Sequence, residues 1–272
     1  MSITGLISFT SKSQDRMVDL NEFQIHIKET GKGRPAVIIE AGLGSGYDAY
    51  DTLQTAISHI TKVLSYDRPG LGESSKSPNL RTLPNYTNEL RLLLLKEMID
   101  PPYILVGHSL GGLIMRYYAH KYPNEVVGLV LIDCIPDGWL DYFMNTHSKE
   151  EIEKLNKVID PELNNSEGVI REEWQEFQNN LELINGIQIL KHIPIRIITA
   201  IRYSEDQEAL GYHAEDMQVW AQMQANIMSI STDAKQIITD KSGHSVQLSE
   251  PELIIEAIKD LVEINRKNDN NH

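Results

Sequence analysis

The sequence predicts an α/β domain: a mostly parallel central sheet, covered by helices on both faces, with a helical insertion late in the chain. Three observations lead there. Short unbroken apolar runs recur along the chain, as expected of strands covered on both sides. Segments with helical apolar spacing fall between them, and that alternation is the signature of parallel sheet with crossover helices. The alternation breaks once, between Asp137 and Pro194, where about 57 residues carry helical patterns and no strand, too many for a simple loop. At 272 residues the chain fits one core domain with an inserted cap.

The elements follow in order. Residues 17–29 alternate roughly in polarity (Val18, Leu20, Phe23, Ile25, Ile27) and predict an antiparallel hairpin at the start of the sheet. Gly31-Lys32-Gly33 is a turn. Ala36–Ile39, Val63–Tyr66, Tyr103–Val106, Val126–Ile132, Ile195–Ala200 and Gln236–Ile238 are the expected buried strands. The helix after Pro84 repeats Tyr86, Leu90, Leu93, Leu94 and Met98 on one face. In the insertion, Ile152, Leu155 and Ile159 mark one helix. Ile170, Trp174, Phe177, Leu181 and Ile184 mark a second. The final helix repeats Leu253, Ile254, Ala257, Ile258, Leu261 and Val262, and Ser249-Glu250-Pro251-Glu252 before it has the form of a capping box. The domain layout expected is a core of 1–137 and 193–267, a cap of 138–192 and a polar C-terminal tail of 268–272.

Composition narrows the function. A net charge of −14 disfavours nucleic acid and anionic membrane as partners, since both need a basic face. A small-molecule substrate is the expected partner, and nothing in the sequence signals an oligomeric state. No apolar stretch approaches the ~20 residues that span a bilayer, and the N-terminus lacks a basic segment followed by an apolar run. The single cysteine, Cys134, excludes an internal disulfide and agrees with a reducing, cytoplasmic setting. Neither metal-ligand spacing nor a phosphate loop is present, so no metal and no cofactor are expected.

The chemistry concentrates at one place. Ile104–Val106 runs into Gly107-His108-Ser109-Leu110-Gly111, and an amphipathic helix leaves it. This is Gly-x-Ser-x-Gly in a strand–turn–helix setting, a turn so tight that the serine is lifted out at the sheet's carboxyl edge with its hydroxyl exposed. A serine needs a base to take its proton. Of nine histidines, His108 is fixed in the elbow and cannot fold back onto its neighbour's hydroxyl, and His244, within Ser242-Gly243-His244, follows a strand end and precedes a helix. All but His244 (His26, His59, His108, His120, His147, His192, His213 and His272) read as surface or packed residues.

These pieces resemble the α/β-hydrolase superfamily, of the esterase/lipase-like kind, over the chain from about Met17 to Lys267. The similarity rests on Glu40-Ala41-Gly42-Leu43-Gly44-Ser45, Tyr66-Asp67-Arg68-Pro69-Gly70-Leu71-Gly72-Glu73-Ser74, Val106–Gly112, Leu129-Val130-Leu131-Ile132-Asp133 and Ser242-Gly243-His244, in that order. The resemblance implies the α/β-hydrolase fold and a serine hydrolase that forms an acyl-enzyme on a small to medium carboxylic ester or related acyl compound. A serine nucleophile argues against the dehalogenase and epoxide-hydrolase branches. Aminopeptidase, thioesterase and C–C hydrolase chemistry stay open on the same scaffold, as does a slow-turnover ligand receptor.

Roles follow from the resemblance. Ser109 attacks, His244 is the base, and the backbone N–H groups of Leu110 and Leu43 form the oxyanion hole. Here Glu40-Ala41-Gly42 replaces the His-Gly pair common in relatives. Glu40 reads as a structural anchor that pairs with Arg68. For the acid that orients His244, Asp133 at the end of the Val126–Ile132 strand ranks first. Asp206, in the loop after Ile195–Ala200, is the alternative, and Asp137 comes third. Trp139, Trp174 and Phe177 are the expected pocket-lining residues of the insertion. Cys134 reads as a small packed apolar residue.

Overall fold

A computed structural model describes residues 14–162, 164–184, 187, 190 and 192–269; the side chains of Asp206 and Asp269 are not among what it describes. The N-terminal segment on which the absence of a leader was read lies outside the described residues, as do 270–272 of the expected tail. Asn268 and Asp269 belong to the last helix instead of a tail.

Strands β1 (Gln14–Asp19), β2 (Gln24–Thr30), β3 (Ala36–Glu40), β4 (Val63–Tyr66), β5 (Tyr103–His108), β6 (Val126–Ile132), β7 (Ile195–Ala200) and β8 (Ala234–Thr239) form one eight-stranded sheet. Its order is β1-β2-β4-β3-β5-β6-β7-β8. β1, β2 and β4 pair antiparallel, and every later pairing is parallel. The helices are α1 (Asp51–Ser58), α2 (Leu83–Lys96), α3 (Leu110–Lys121), α4 (Trp139–Thr146), α5 (Lys149–Ile159), α6 (Gly168–Gln175), α7 (Phe177–Ile184), α8 (Glu205–Ala209), α9 (Asp216–Asn226), α10 (Val246–Ser249) and α11 (Pro251–Asp269).

The central strands are buried on both faces, because successive side chains alternate between two cores. Ile38 and Leu105 pack with Leu90, Leu93, Leu113 and Tyr118 of α2 and α3. Val37, Ile39, Ile104 and Val106 pack with Leu53, Ile57, Ile258 and Leu261 of α1 and α11. A third, smaller cluster joins Trp139, Phe143 and Leu155 of the insertion to Trp220 of α9.

Four details depart from the sequence reading. Met98 does not extend the apolar face of α2. The helix ends in a Schellman turn, with Ile99 N–H bonded to Leu94 O and Met98 N–H to Leu95 O. Met98 takes the left-handed position (φ 52°) and is 82% exposed, while Ile99 fills the buried place. The second insertion helix is two helices, α6 and α7, broken at Glu176. Ser249 does not cap α11. Its hydroxyl bonds Ser242 Oγ, and Glu250 accepts from Thr239 and Ser242, so this corner ties down the loop that carries His244. The capping box that does form is Ser148 with Glu151, at the start of α5. Finally, α9 went unread, although Met217, Trp220, Ala221 and Gln224 have helical spacing and are buried.

Candidate active site

Parallel pairing brings four chain crossings to one sheet edge. His108 pairs with Ile132, Ile132 with Ile198, and Ala200 with Thr239. The residues that follow these strands therefore meet at their carboxyl ends, where open α/β sheets bind ligands. Ser109 leaves β5, Asp133 leaves β6, Arg202 lies just past β7 and His244 lies beyond β8.

Ser109 has φ 52° and ψ −118°, a left-handed conformation that costs a non-glycine residue roughly 1–3 kcal/mol. Ser109 N–H donates to Ile132 O at 3.0 Å. The flanking glycines are required by space. A Cβ on Gly107 would lie 2.3 Å from Gly111 O, and one on Gly111 would lie 2.4 Å from Glu40 O. Leu110 opens α3, where first-turn N–H groups have no intrahelical acceptor.

Asp133 is 4% exposed and also has positive φ, 40°. Its Oδ2 accepts from His244 Nδ1 at 2.7 Å. Its Oδ1 accepts from Trp220 Nε1 (2.8 Å), Gln224 Nε2 (3.1 Å) and Ala200 N–H (3.2 Å). Gln224 is held in turn by Thr199 and by Cys134 O. With Nδ1–H donated to the carboxylate, His244 keeps its Nε2 lone pair. The other acid candidates are placed differently. Asp137 is bound in bidentate fashion by Arg116 of α3 (2.8 and 3.1 Å). Asp206 lies in α8, and its side chain is outside the described residues.

The loop after β3 closes against the elbow. A Cβ on Gly42 would sit 2.8 Å from His108 Nδ1 and 3.6 Å from Ser109 Cβ, so Leu43 follows a close approach of the two segments. Arg68 holds this loop by its backbone, donating to Ala41 O and Gly42 O at 2.7 Å each. It pairs with Glu40 (2.8 Å), as the sequence suggested, and with Glu173 of α6 (2.7 Å), which the sequence did not suggest. Glu173 in turn accepts from Gly44 N–H at 2.8 Å. Burial works against the Arg68 charge, but Glu173 and Glu40 outweigh it and push the guanidinium pKa further up.

His108 is more than a fixed neighbour of the serine. Its Nε2–H donates to His244 O at 2.9 Å, and the two rings lie 4.6 Å apart. Burial, with the nearby His244, drives its pKa down to about 3, so it is neutral. Cys134 is packed against Gly112, and burial pushes its thiol up to about 12, which fits an inert side chain.

Ser109, Asp133 and His244 line a cavity of about 540 Å³. The insertion supplies an apolar wall that includes Trp139, Leu155, Trp174 and Phe177. The segments after β7 and β8 supply Arg202, Ser204, Gln207 and Ser245. Trp139, Trp174 and Phe177 are thus all on the cavity, joined by Trp220, which the sequence reading missed.

Another unexpected grouping is His147, His213 and Asp216, whose donor atoms lie within 4.8 Å of one another. Each is already engaged: His147 Nε2 with Asp216 (2.9 Å), and His213 Nε2 with Glu151 (2.6 Å). The two rings stack at 4.8 Å with planes 21° apart, so their in-plane lone pairs do not converge on one point. The cluster reads as a polar tie between the insertion and α9.

The architecture is that of the α/β-hydrolase fold. The family model described as the alpha/beta hydrolase fold matches residues 35–164. The chain is similar to the uncharacterized protein YqjL of Bacillus subtilis (strain 168), 26% identical over 232 residues that cover 85% of each chain. It is also similar to the mitochondrial palmitoyl-protein thioesterase ABHD10 of Homo sapiens, 26% identical over 80% of this chain and 71% of the relative. Among solved structures, alpha/beta hydrolase domain-containing protein 10 from mouse shares the fold, with a TM-score of 0.61 at 18% identity, over 92% of this chain and 98% of that one. Among the described residues, no helix is long and apolar enough to cross a membrane.

Proposed function

We propose that this chain is a serine hydrolase that cleaves a small to medium carboxylic ester or related acyl compound, including a thioester, through an acyl-enzyme on Ser109. The observation that carries the reading is the Asp133–His244 hydrogen bond at 2.7 Å, beside a serine held in the elbow conformation on the same cavity. In this reading His244 takes the Ser109 proton, Asp133 fixes the tautomer and stabilises the imidazolium, and the N–H groups of Leu110 and Leu43 receive the oxyanion. His244 then gives the proton to the leaving group, and water repeats the cycle to free the acid.

The inserted helices act as a cap, with Trp139, Trp174 and Phe177 against the acyl part. An apolar wall of this kind fits an apolar acyl group, and the name of the relative ABHD10 as a palmitoyl-protein thioesterase supports the acyl class. The single buried cysteine suits a cytoplasmic setting.

The test is fluorophosphonate labelling together with turnover of p-nitrophenyl esters of graded acyl length. The chain is expected to label rapidly at Ser109 and to turn over. Ser109→Ala is expected to abolish labelling and to lower kcat by ~10³-fold or more, with an unchanged thermal melt. Folded Ser109→Ala protein with near-wild-type turnover would refute the nucleophile assignment, and slow single turnover by the intact chain would favour a ligand receptor.

A further inference from the structure

The cavity has two unlike walls. One is apolar and comes from the insertion, through Leu155, Val158, Ile159, Trp174 and Phe177. The other comes from the segments after β7 and β8 and holds Arg202, Ser204, Gln207, Ser245 and Ser249. Arg202 stands out in a chain of net charge −14, where most arginines are engaged. Arg81 pairs with Glu89, Arg91 with Glu125, Arg116 with Asp137 and Arg196 with Asp233 and Asp260. Among the described residues, Arg202 has no ion pair and no hydrogen bond, although it borders the cavity.

A second donor points to the same place. The space above Gly243, where a Cβ would stand, lies 3.6 Å from Arg202 Nη2 and 4.0 Å from Gln207 Nε2. Ser204 Oγ donates to Gln207 Oε1, which fixes the amide with its NH₂ end toward that space. Gln207 Nε2 likewise has no acceptor among the described residues. The absence of a side chain at Gly243 keeps the space open between two donors, one of them the solvent-exposed Arg202 cation.

We infer that Arg202 and Gln207 form a carboxylate-binding subsite on the leaving-group side, so that the substrate is an ester of an apolar acid with a carboxylate-bearing alcohol or phenol. The inference rests on the serine-hydrolase reading for its direction. His244 delivers its proton to the leaving group, so the leaving group lies on the histidine's side, and Gly243 is the residue before it. The guanidinium fork and an amide N–H suit the planar, two-oxygen acceptor of a carboxylate. A chain this acidic gives no long-range attraction for anions, so recognition falls to a local cation.

The test uses the octanoate ester of 3-hydroxy-4-nitrobenzoic acid and the methyl ester of the same compound, which differ in the negative charge and one methyl group. Binding is measured first in Ser109→Ala, by quenching of tryptophan fluorescence, so that it does not depend on turnover. The carboxylate form is expected to bind about tenfold tighter, a charged hydrogen-bond pair discounted for exposure, and the preference should shrink with added salt. Adding Arg202→Gln should bring the ratio to about one, and Arg202→Lys should restore part of it. A ratio near one in Ser109→Ala, no binding of the carboxylate form, or a ratio that survives Arg202→Gln would overturn the subsite. Hydrolysis by the intact chain is scored separately. A binding ratio of one with brisk hydrolysis of both esters removes the subsite and leaves the hydrolase. The expected ratio with no hydrolysis of either ester keeps the subsite and removes the hydrolase.

Discussion

Replacing Asp133 with Asn tests the site most sharply, because the hydrogen bonds dictate what the amide must do. Three N–H donors, from Trp220, Gln224 and Ala200, point at Oδ1. An asparagine therefore keeps its carbonyl oxygen there, since turning its NH₂ toward three donors would leave buried N–H groups unpaired at about 1–3 kcal/mol each. The NH₂ group then takes the place of Oδ2, facing His244 Nδ1. Two donors cannot share that 2.7 Å contact, so the imidazole moves its proton to Nε2 and accepts from the amide with Nδ1. In that tautomer Nε2 has no lone pair for the Ser109 proton. The same change in a trypsin-like triad lowers kcat about 10⁴-fold by this route, and a loss of that order is expected here.

The assay is kcat on a p-nitrophenyl ester, with thermal melting alongside. Asp133→Asn should melt within a few degrees of wild type, since the three hydrogen bonds at Oδ1 persist and the one to His244 reverses direction. Asp206→Asn should stay within about tenfold of wild type, as a substitution off the triad does. Turnover by Asp133→Asn within tenfold of wild type, or a collapse in Asp206→Asn, would refute the reasoning and move the acid to the loop after β7.

Two further outcomes follow from buried charge. His108 is held near 3 by burial and by His244, against an ordinary value of 6.5, so the unfolded chain binds a proton there that the folded chain refuses. Its contribution is complete above about 6.5 and is lost as the pH falls toward 3. The thermal midpoint of wild type should therefore drop over that window more steeply than that of His108→Gln, and parallel curves would show that His108 does not titrate as described. Arg68→Met leaves Glu40 and Glu173 facing one another without a cation, both fully buried. Urea unfolding should show about 3–5 kcal/mol lost, and turnover should fall with the loop that Arg68 holds; a loss under 1 kcal/mol would mean that the carboxylates find other partners.

What the sequence made legible is what local pattern encodes. The strands β3 to β7 appear as apolar runs because both of their faces are buried. The elbow appears because its glycines cannot be anything else, and His244 because it follows a strand end. Asp133 was also within reach: it ends β6 with no spacer, so the rigid sheet carries its carboxylate to the edge. The partners that make these residues a site were not legible, because they come from far along the chain. Trp220 donates to Asp133 across 87 positions, and Arg68 meets Glu173 across 105. No periodicity relates such residues. The polar character of α9 hid the one local clue, its Met217-Trp220-Ala221-Gln224 spacing.

The same reasoning explains why the acid was a contest between two loops on sequence alone. A carboxylate becomes a triad acid through the donors that pin its second oxygen, not through its own position. Asp133 has three such donors, one from the end of β7 and two from α9. The segment after β7 thus serves Asp133 in two ways, with a backbone N–H at Ala200 and with the helix that holds Trp220 and Gln224. Trp220→Phe separates this support from simple packing. It keeps the ring in the cluster with Trp139 but removes one donor from Oδ1, so the carboxylate is freer to turn away from His244. A fall in kcat at nearly unchanged stability, larger than any change in KM, is the expected signature of a positioning residue. If kcat holds while stability drops, Trp220 serves the fold alone, and the orientation of Asp133 rests on Gln224 and the β7 backbone.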